Sequence, residues 1–133
     1  MRRALAVLVL AFALVGLAAC GSSSSNAPAA PPTPTDLRGQ TTVDVQASSN
    51  EFHPQSIIID AGTKVTWHNG DAVAHNVKKS ADAVDFGAPF GVESDKFGPG
   101  KTYSFTFTKP GTYPYECTIH AGMTGTVEVR AKP

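Results

Sequence analysis

The chain has 133 residues, in which eleven Lys and Arg side chains are balanced by eleven Asp and Glu side chains. That length favours a single domain, and we expect the protein to act as a monomer. No basic patch or stripe stands out along the chain, so the charge pattern argues against a nucleic-acid partner.

The first part of the chain has the features of an export signal. Arg2 and Arg3 supply positive charge, and residues 4–17 form an unbroken apolar run of fourteen residues. This run is shorter than the roughly 18 residues that indicate a transmembrane helix. Ala18 and Ala19 then provide small residues at a cleavage site. We therefore predict that residues 1–19 are a signal peptide.

Cys20 follows directly after these small residues. The sequence Leu17-Ala18-Ala19-Cys20 resembles the lipobox of bacterial lipoproteins, in which the Cys becomes the lipidated first residue of the mature chain. The resemblance implies a lipid anchor on Cys20 and a location in the cell envelope, on a membrane and facing the periplasm or the extracellular side. The alternative is an ordinary signal peptide that happens to precede a Cys.

A segment without charge separates Cys20 from the rest of the chain. Residues 21–35 read GSSSSNAPAAPPTPT, which has almost no apolar bulk and cannot form a core. Fully extended, the segment would span roughly 45 Å at about 3.1 Å per residue. We predict that residues 20–40 are a lipidated Cys and a disordered tether, and that residues 41–133 are the folded domain. A disordered terminus without function would have the same composition.

Short alternating or β-branched runs follow, and helical periodicity is absent. Turn signals such as Asn69-Gly70-Asp71 and Pro110-Gly111 separate these runs. We predict strands at 41–45, 56–59, 63–67, 73–77, 101–108, 112–117 and 124–130. About seven or eight short strands in roughly 90 residues indicate an all-β fold, a β-sandwich.

The clearest predicted strand is 101–108. It places Tyr103, Phe105 and Phe107 on one face, which we expect to be core, and we expect the same of Trp67. Residues 81–100 are rich in Gly and Pro and read as a long loop, to which the sequence assigns no role.

Cys117 needs an explanation. Its only possible disulfide partner, Cys20, lies outside the predicted domain, so Cys117 would be a lone thiol in an oxidising compartment. Metal ligation is one reason to keep such a thiol. The segment CTIHAGM places Cys117, His120 and Met123 within seven residues, and Gly122 permits a tight bend between them. Thiolate, imidazole and thioether together favour copper, and one Cys and two His with a weak axial Met make a blue-copper site.

A second His must come from elsewhere in the chain. His75 is the best candidate, because it lies in a strand-like segment just after a turn. The alternatives are His53 and His68, which we interpret as structural or solvated residues.

The sequence here resembles the cupredoxins, the blue-copper family that includes plastocyanin, pseudoazurin and amicyanin. The resemblance rests on three segments in family order, VTWHN at 65–69, AHNV at 74–77 and PGTYPYECTIHAGM at 110–123. It implies a Greek-key sandwich with one type 1 copper, held by His75 and His120 through nitrogen, Cys117 through sulfur and Met123 axially.

The resemblance also implies a brace and a function. Asn76 would hydrogen-bond near Thr118, beside Cys117, and the copper would exchange single electrons with redox protein partners that the sequence does not identify. The chain departs from many relatives at Ala74, where they have Pro. The alternative function is a copper carrier or scavenger of the envelope that delivers or buffers copper.

Enzyme functions fit the sequence less well, and we predict that the protein is not an enzyme. Thiol catalysis by Cys117 and His120 would need a third orienting residue, and none is evident. Four His residues in the whole chain are too few for a multicopper oxidase, and one Cys in the loop is too few for a dinuclear copper site. A structural zinc site would not normally include Met.

Overall fold

A computed structural model of the chain describes residues 31–81, 90 and 96–133. The predicted signal peptide, Cys20 and most of the predicted loop at 81–100 therefore lie outside the described residues. The described part contains nine strands: β1 Thr35–Asp36, β2 Thr42–Ser48, β3 Glu51–His53, β4 Ser56–Asp60, β5 Thr63–Asn69, β6 Lys78–Lys79, β7 Thr102–Phe107, β8 Gly111–Glu116 and β9 Thr124–Arg130.

The strands form two sheets, and no helix is found among the described residues. One sheet has the order β1-β4-β9-β8-β6, and the other has the order β3-β2-β5-β7. Strands β2 and β5 pair in parallel, as do β4 and β9, while β8 pairs antiparallel with β9. The prediction of an all-β sandwich is confirmed. No helix in the described part of the chain is long and apolar enough to cross a membrane.

Alternation along the strands places apolar side chains between the sheets. In β2 the buried residues are Val43, Val45 and Ala47, and in β9 the last two buried residues are Val127 and Val129. Side chains that alternate in this way point to opposite faces of a strand, so one face joins the core while the other faces solvent.

An aromatic cluster fills the centre of the core. Trp67 is fully buried, and its ring lies 5.4 Å from that of Tyr115 and 5.5 Å from that of Tyr103, measured between centroids. Its indole N–H donates a hydrogen bond of 3.1 Å to the buried Tyr115 hydroxyl. Phe107 is fully buried, and Phe105 and Tyr103 pack partly buried against the core. The interpretation of Trp67, and of the face formed by Tyr103, Phe105 and Phe107, as core is therefore correct.

The predicted strand at 73–77 is wrong. Residues 71–73 bend, and His75 makes only an isolated antiparallel bridge with Phe97, through hydrogen bonds of 3.1 and 2.9 Å between their backbones. The buried amide of Asn69 causes this bend, because it donates to the Val73 and Phe97 carbonyls at 2.7 and 2.9 Å. These bonds satisfy backbone carbonyl groups in segments that lie outside the two sheets.

Strand β1 begins within the segment predicted as a tether. Thr35 and Asp36 pair in parallel with Ile57 and Ile58 of β4, and Leu37 packs partly buried against the core. Because β4 is parallel to β9, and β9 starts directly after Met123, β1 runs away from the end of the sandwich that carries Met123.

Candidate metal centre

The loop between β8 and β9 carries three of the four predicted ligands. Cys117 follows β8 directly, and Met123 directly precedes β9. The Cys117 N–H donates to the Met123 carbonyl at 2.9 Å, and the Met123 N–H donates to the His120 carbonyl at 3.3 Å. Gly122 makes the return possible, since its φ of 81° lies in the left-handed region that other residues avoid. The loop is thus closed at both ends by its own backbone.

His75 approaches from the loop between β5 and β6. Its side chain is completely buried, and the backbone bridge with Phe97 holds it in place. A core-facing imidazole that is fully removed from solvent needs polar partners for both ring nitrogens. In this chain one nitrogen faces Cys117 and the other faces Asp71.

The structure brings His75, Cys117 and His120 together. The Cys117 Sγ atom lies 3.8 Å from His75 Nδ1 and 3.6 Å from His120 Nδ1, and the three donor atoms all lie within 4.8 Å of one another. Metal bonds of about 2.0 Å to nitrogen and 2.3 Å to sulfur, enclosing about 120°, would separate the two donors by about 3.7 Å. The donor set and its spacing therefore fit one trigonal copper ion.

Burial differs sharply between these side chains. Cys117, Met123 and His75 are buried, with 3%, 1% and 0% of their surface exposed, while His120 is half-buried. Ile119, next to His120, is one of two exposed large apolar side chains in the described part of the chain, and Val73 is the other. The site is closed on the core side and reaches solvent beside His120.

Met123 lies at the end of the loop, directly before β9. Its side chain is buried, and its backbone is tied to both Cys117 and His120. The thioether is thus available from the loop that also provides Cys117 and His120.

Asn76 and Thr118 link the two loops. The Asn76 amide donates to the Thr118 hydroxyl at 2.9 Å, and the Thr118 N–H donates to the Asn76 side-chain oxygen at 2.9 Å. Asn76 follows His75 and Thr118 follows Cys117, so this reciprocal pair ties one donor to the other. Such second contacts orient metal ligands before the metal arrives.

Asp71 is a residue that the sequence reasoning missed. Its carboxylate Oδ2 lies 2.9 Å from His75 Nε2, and the two oxygens accept the N–H groups of Ser49 and Asn50 at 2.8 and 3.1 Å. These two backbone hydrogen bonds, and after them the contact with His75, lower the pKa of Asp71 below its usual value. The local turn signal Asn69-Gly70-Asp71 was visible in the sequence, but the contact across to Ser49 and Asn50 was not.

His53 and His68 take no part in this group. His68 Nε2 lies 2.8 Å from Asp44 Oδ1, and His53 Nε2 lies 3.5 Å from Glu51 Oε2. All four of these side chains are exposed to solvent. Both His residues belong to strands of the four-stranded sheet.

Comparison with known proteins gives a consistent result. The family model of copper binding proteins, the plastocyanin/azurin family, matches residues 39–130. Amicyanin-alpha of Methylorubrum extorquens is 40% identical over 90 residues, which cover 65% of this chain and 70% of that protein. A plastocyanin of Scenedesmus fuscus is 40% identical over 84 residues, which cover 59% of this chain and 86% of that protein.

Solved structures of related copper proteins are also similar to this chain. An amicyanin mutant in the oxidised state is 31% identical with a TM-score of 0.57, over 68% of this chain and 83% of that one. A copper-containing nitrite reductase from Thermus scotoductus is 32% identical with a TM-score of 0.55, over 81% of this chain but only 24% of that enzyme. Members of the family are mainly electron carriers. The chain belongs to the plastocyanin/azurin family of copper binding proteins, and it is an electron-transfer protein whose cofactor is one type 1 copper ion.

Proposed function

We propose that His75 Nδ1, His120 Nδ1 and the Cys117 thiolate would hold this copper, with the Met123 thioether as a fourth and weaker ligand, and that the chain is an electron carrier and not an enzyme. The observation that carries the proposal is the convergence of two imidazole nitrogens on one buried sulfur, at 3.8 and 3.6 Å. Copper bound there would supply a one-electron couple.

The surrounding residues suit fast electron exchange, which needs little rearrangement between oxidation states. The loop is closed by backbone hydrogen bonds, and the Asn76–Thr118 pair ties it to the His75 loop. A close-packed interior resists movement of these side chains. His120, half-buried beside the exposed Ile119, would be the route by which electrons enter and leave.

The same burial argues against catalysis at the thiol. Only 3% of Cys117 is exposed, so a substrate could not reach its sulfur without opening the loop. The likeness to the nitrite reductase extends over 24% of that enzyme and gives no basis for transferring its activity.

Location and organisation complete the proposal. Residues 1–19 would direct export, Cys20 would carry the lipid anchor, and residues 20–40 would be the tether. Residues 41–133 would be the copper-binding domain. The protein would act as a monomer that exchanges electrons with redox proteins at a membrane of the cell envelope. Kinship with amicyanin and plastocyanin supports export. Partitioning between a detergent phase and an aqueous phase tests the anchor. If the wild type enters the detergent phase and Cys20→Ser enters the aqueous phase, the anchor is supported, and an equal distribution of the two proteins would contradict it.

Addition of Cu(II) to the purified protein tests the metal site. We expect an intense visible band from thiolate-to-copper charge transfer that saturates at one copper per chain. The band should be lost in Cys117→Ser and lost or strongly altered in His75→Ala and His120→Ala. His68→Ala is the matched control, because it removes an imidazole outside the site and should leave the band unchanged. A colourless wild-type protein would refute the proposal.

The copper-carrier alternative predicts a different behaviour of the loaded protein. An electron carrier should keep its copper through repeated reduction and oxidation in the presence of a Cu(I) chelator. Loss of copper in the first reduced state would favour delivery or buffering of copper instead.

A further inference from the structure

The buried ring of His75 has a carboxylate behind it. His75 is completely buried, and while Nδ1 faces the Cys117 sulfur, Nε2 lies 2.9 Å from Asp71 Oδ2. A neutral imidazole carries its proton on one nitrogen only, and a hydrogen-bond acceptor at one nitrogen leaves the other free to bind metal. The acceptor at Nε2 therefore decides which nitrogen is presented to the sulfur.

The position of Asp71 is itself fixed from another part of the chain. Ser49 and Asn50 form the two-residue turn between β2 and β3, and both have left-handed backbones, with φ of 56° and 57°. This conformation directs their N–H groups to the carboxylate, at 2.8 Å to Oδ1 and 3.1 Å to Oδ2. In addition, the Asp71 N–H donates to Asn69 Oδ1 at 2.8 Å. The carboxylate can therefore neither rotate nor withdraw without breaking these bonds.

We propose that Asp71, held by the β2–β3 turn, is the positioning residue that fixes the tautomer and ring orientation of His75 and lowers the reduction potential of the copper site. The inference rests on the proposed function, because it takes His75 Nδ1 as a ligand. It adds to the metal site the turn between β2 and β3, which belongs to the four-stranded sheet and acts on His75 through the Asp71 side chain.

The direction of the effect follows from charge. A carboxylate that accepts a hydrogen bond from a ligand imidazole makes that ligand more basic and places negative charge close to the metal. The more highly charged oxidised state gains more from this than the reduced state. The hydrogen bonds from the Ser49 and Asn50 N–H groups hold the Asp71 carboxylate at this position.

The chain contains a matched control. Asp44 and His68 form a second Asp–His pair, with Oδ1 and Nε2 2.8 Å apart, on exposed side chains outside the metal site. Asp44→Asn makes the same chemical change as Asp71→Asn, with the same loss of charge. Any difference in reduction potential between the two variants therefore arises from the position of the Asp residue and not from the change in net charge.

The experiment compares wild-type, Asp71→Asn and Asp44→Asn proteins, all loaded with copper. At a fixed applied potential we expect the Cu(I):Cu(II) ratio to rise about tenfold in Asp71→Asn, which corresponds to about 59 mV for a one-electron couple. Asp44→Asn should match the wild type. Equal potentials for the two variants would overturn the proposal, even if both retain the charge-transfer band that supports the proposed function.

A second measurement uses copper-free protein. Ring ¹⁵N shifts of His75 should show a single tautomer in the wild type, with the proton on Nε2, and a mixture in Asp71→Ala. A wild-type proton on Nδ1 would overturn the proposal, and this measurement decides the matter if the Asp71 variants do not fold.

Discussion

Gly125 leaves no room for a side chain beside the Tyr115 ring, and its replacement by Ala should destabilise the domain strongly. Gly125 of β9 lies opposite Tyr115 of β8. A Cβ atom at Gly125 would sit 2.3 Å from Tyr115 Cζ and 2.4 Å from its hydroxyl oxygen. Real contacts are not this short, so the Tyr115 ring would have to move.

Movement of that ring is costly because it is held on several sides. Tyr115 is 1% exposed, its centroid lies 4.9 Å from that of Phe52, and its hydroxyl accepts the Trp67 indole N–H. Overpacking of a core costs about 1–3 kcal/mol, and an unmade buried hydrogen bond costs a similar amount. We therefore expect Gly125→Ala to lower the free energy of unfolding by about 2–4 kcal/mol, a large share of the total for a domain of this size.

Denaturant unfolding of the copper-free protein, followed by Trp67 fluorescence, measures this change without the stabilisation that bound metal adds. The melting temperature should fall by about 10–25 °C. Gly98→Ala is the control, because a Cβ there would meet nothing within 4 Å, and it should stay within about 0.5 kcal/mol of the wild type. If Gly125→Ala were as stable as Gly98→Ala, the close packing of β8 on β9 described above would be incorrect.

Three further changes should give measurable results. Asn76→Ala removes both hydrogen bonds to Thr118, so we expect the free energy of unfolding, measured with denaturant, to fall by about 1–3 kcal/mol. Copper should also be lost faster to a chelator, and an unchanged release rate would argue against the role of Asn76 in joining the two loops. Gly122→Ala should cost about 1–2 kcal/mol in the same assay, because its φ of 81° disfavours any side chain although the space around it is open; a neutral result would refute the strain. Burial raises the pKa values of Tyr113 and Tyr115, so their contribution to stability is complete below the unfolded pKa of 10.0 and is lost as the pH rises above that value. The melting temperature should therefore fall more steeply above pH 10 in the wild type than in Tyr115→Phe. Equal slopes for the two proteins would contradict this.

The sequence predicts most of this fold because its signals are local. Alternation in β2, β5, β7 and β9 identifies the strands and their buried faces. The segment from Cys117 to Met123 brings three donor types together within seven residues, so no knowledge of the fold is needed to suspect a metal. The remaining donor, His75, is predicted from its strand-like segment after a turn, and the resemblance to the family implies the same residue.

What the sequence does not predict depends on partners far apart in the chain. Strands β1, β3 and β6 have two or three residues each, too few for a period to be visible. The segment around His75 has strand-like composition, but Asn69 and Phe97 take up its hydrogen bonds and bend it away from a sheet. The contact between Asp71 and the turn at Ser49 exists only because β2 and β5 pair in one particular register.

The direction of β1 has a practical consequence for electrochemistry. Thr35 and Asp36 run parallel to β4, so the backbone before Thr35 leads back toward the end of the sandwich where the loop carrying Cys117 and Met123 lies. Residues after Arg130 leave from the opposite end, beside Asp60. Attachment of the domain to an electrode at Pro34, directly before β1, would therefore bring the redox-active end close to the conducting surface. Attachment through Pro133 would turn that end toward the solution, free to meet a dissolved mediator.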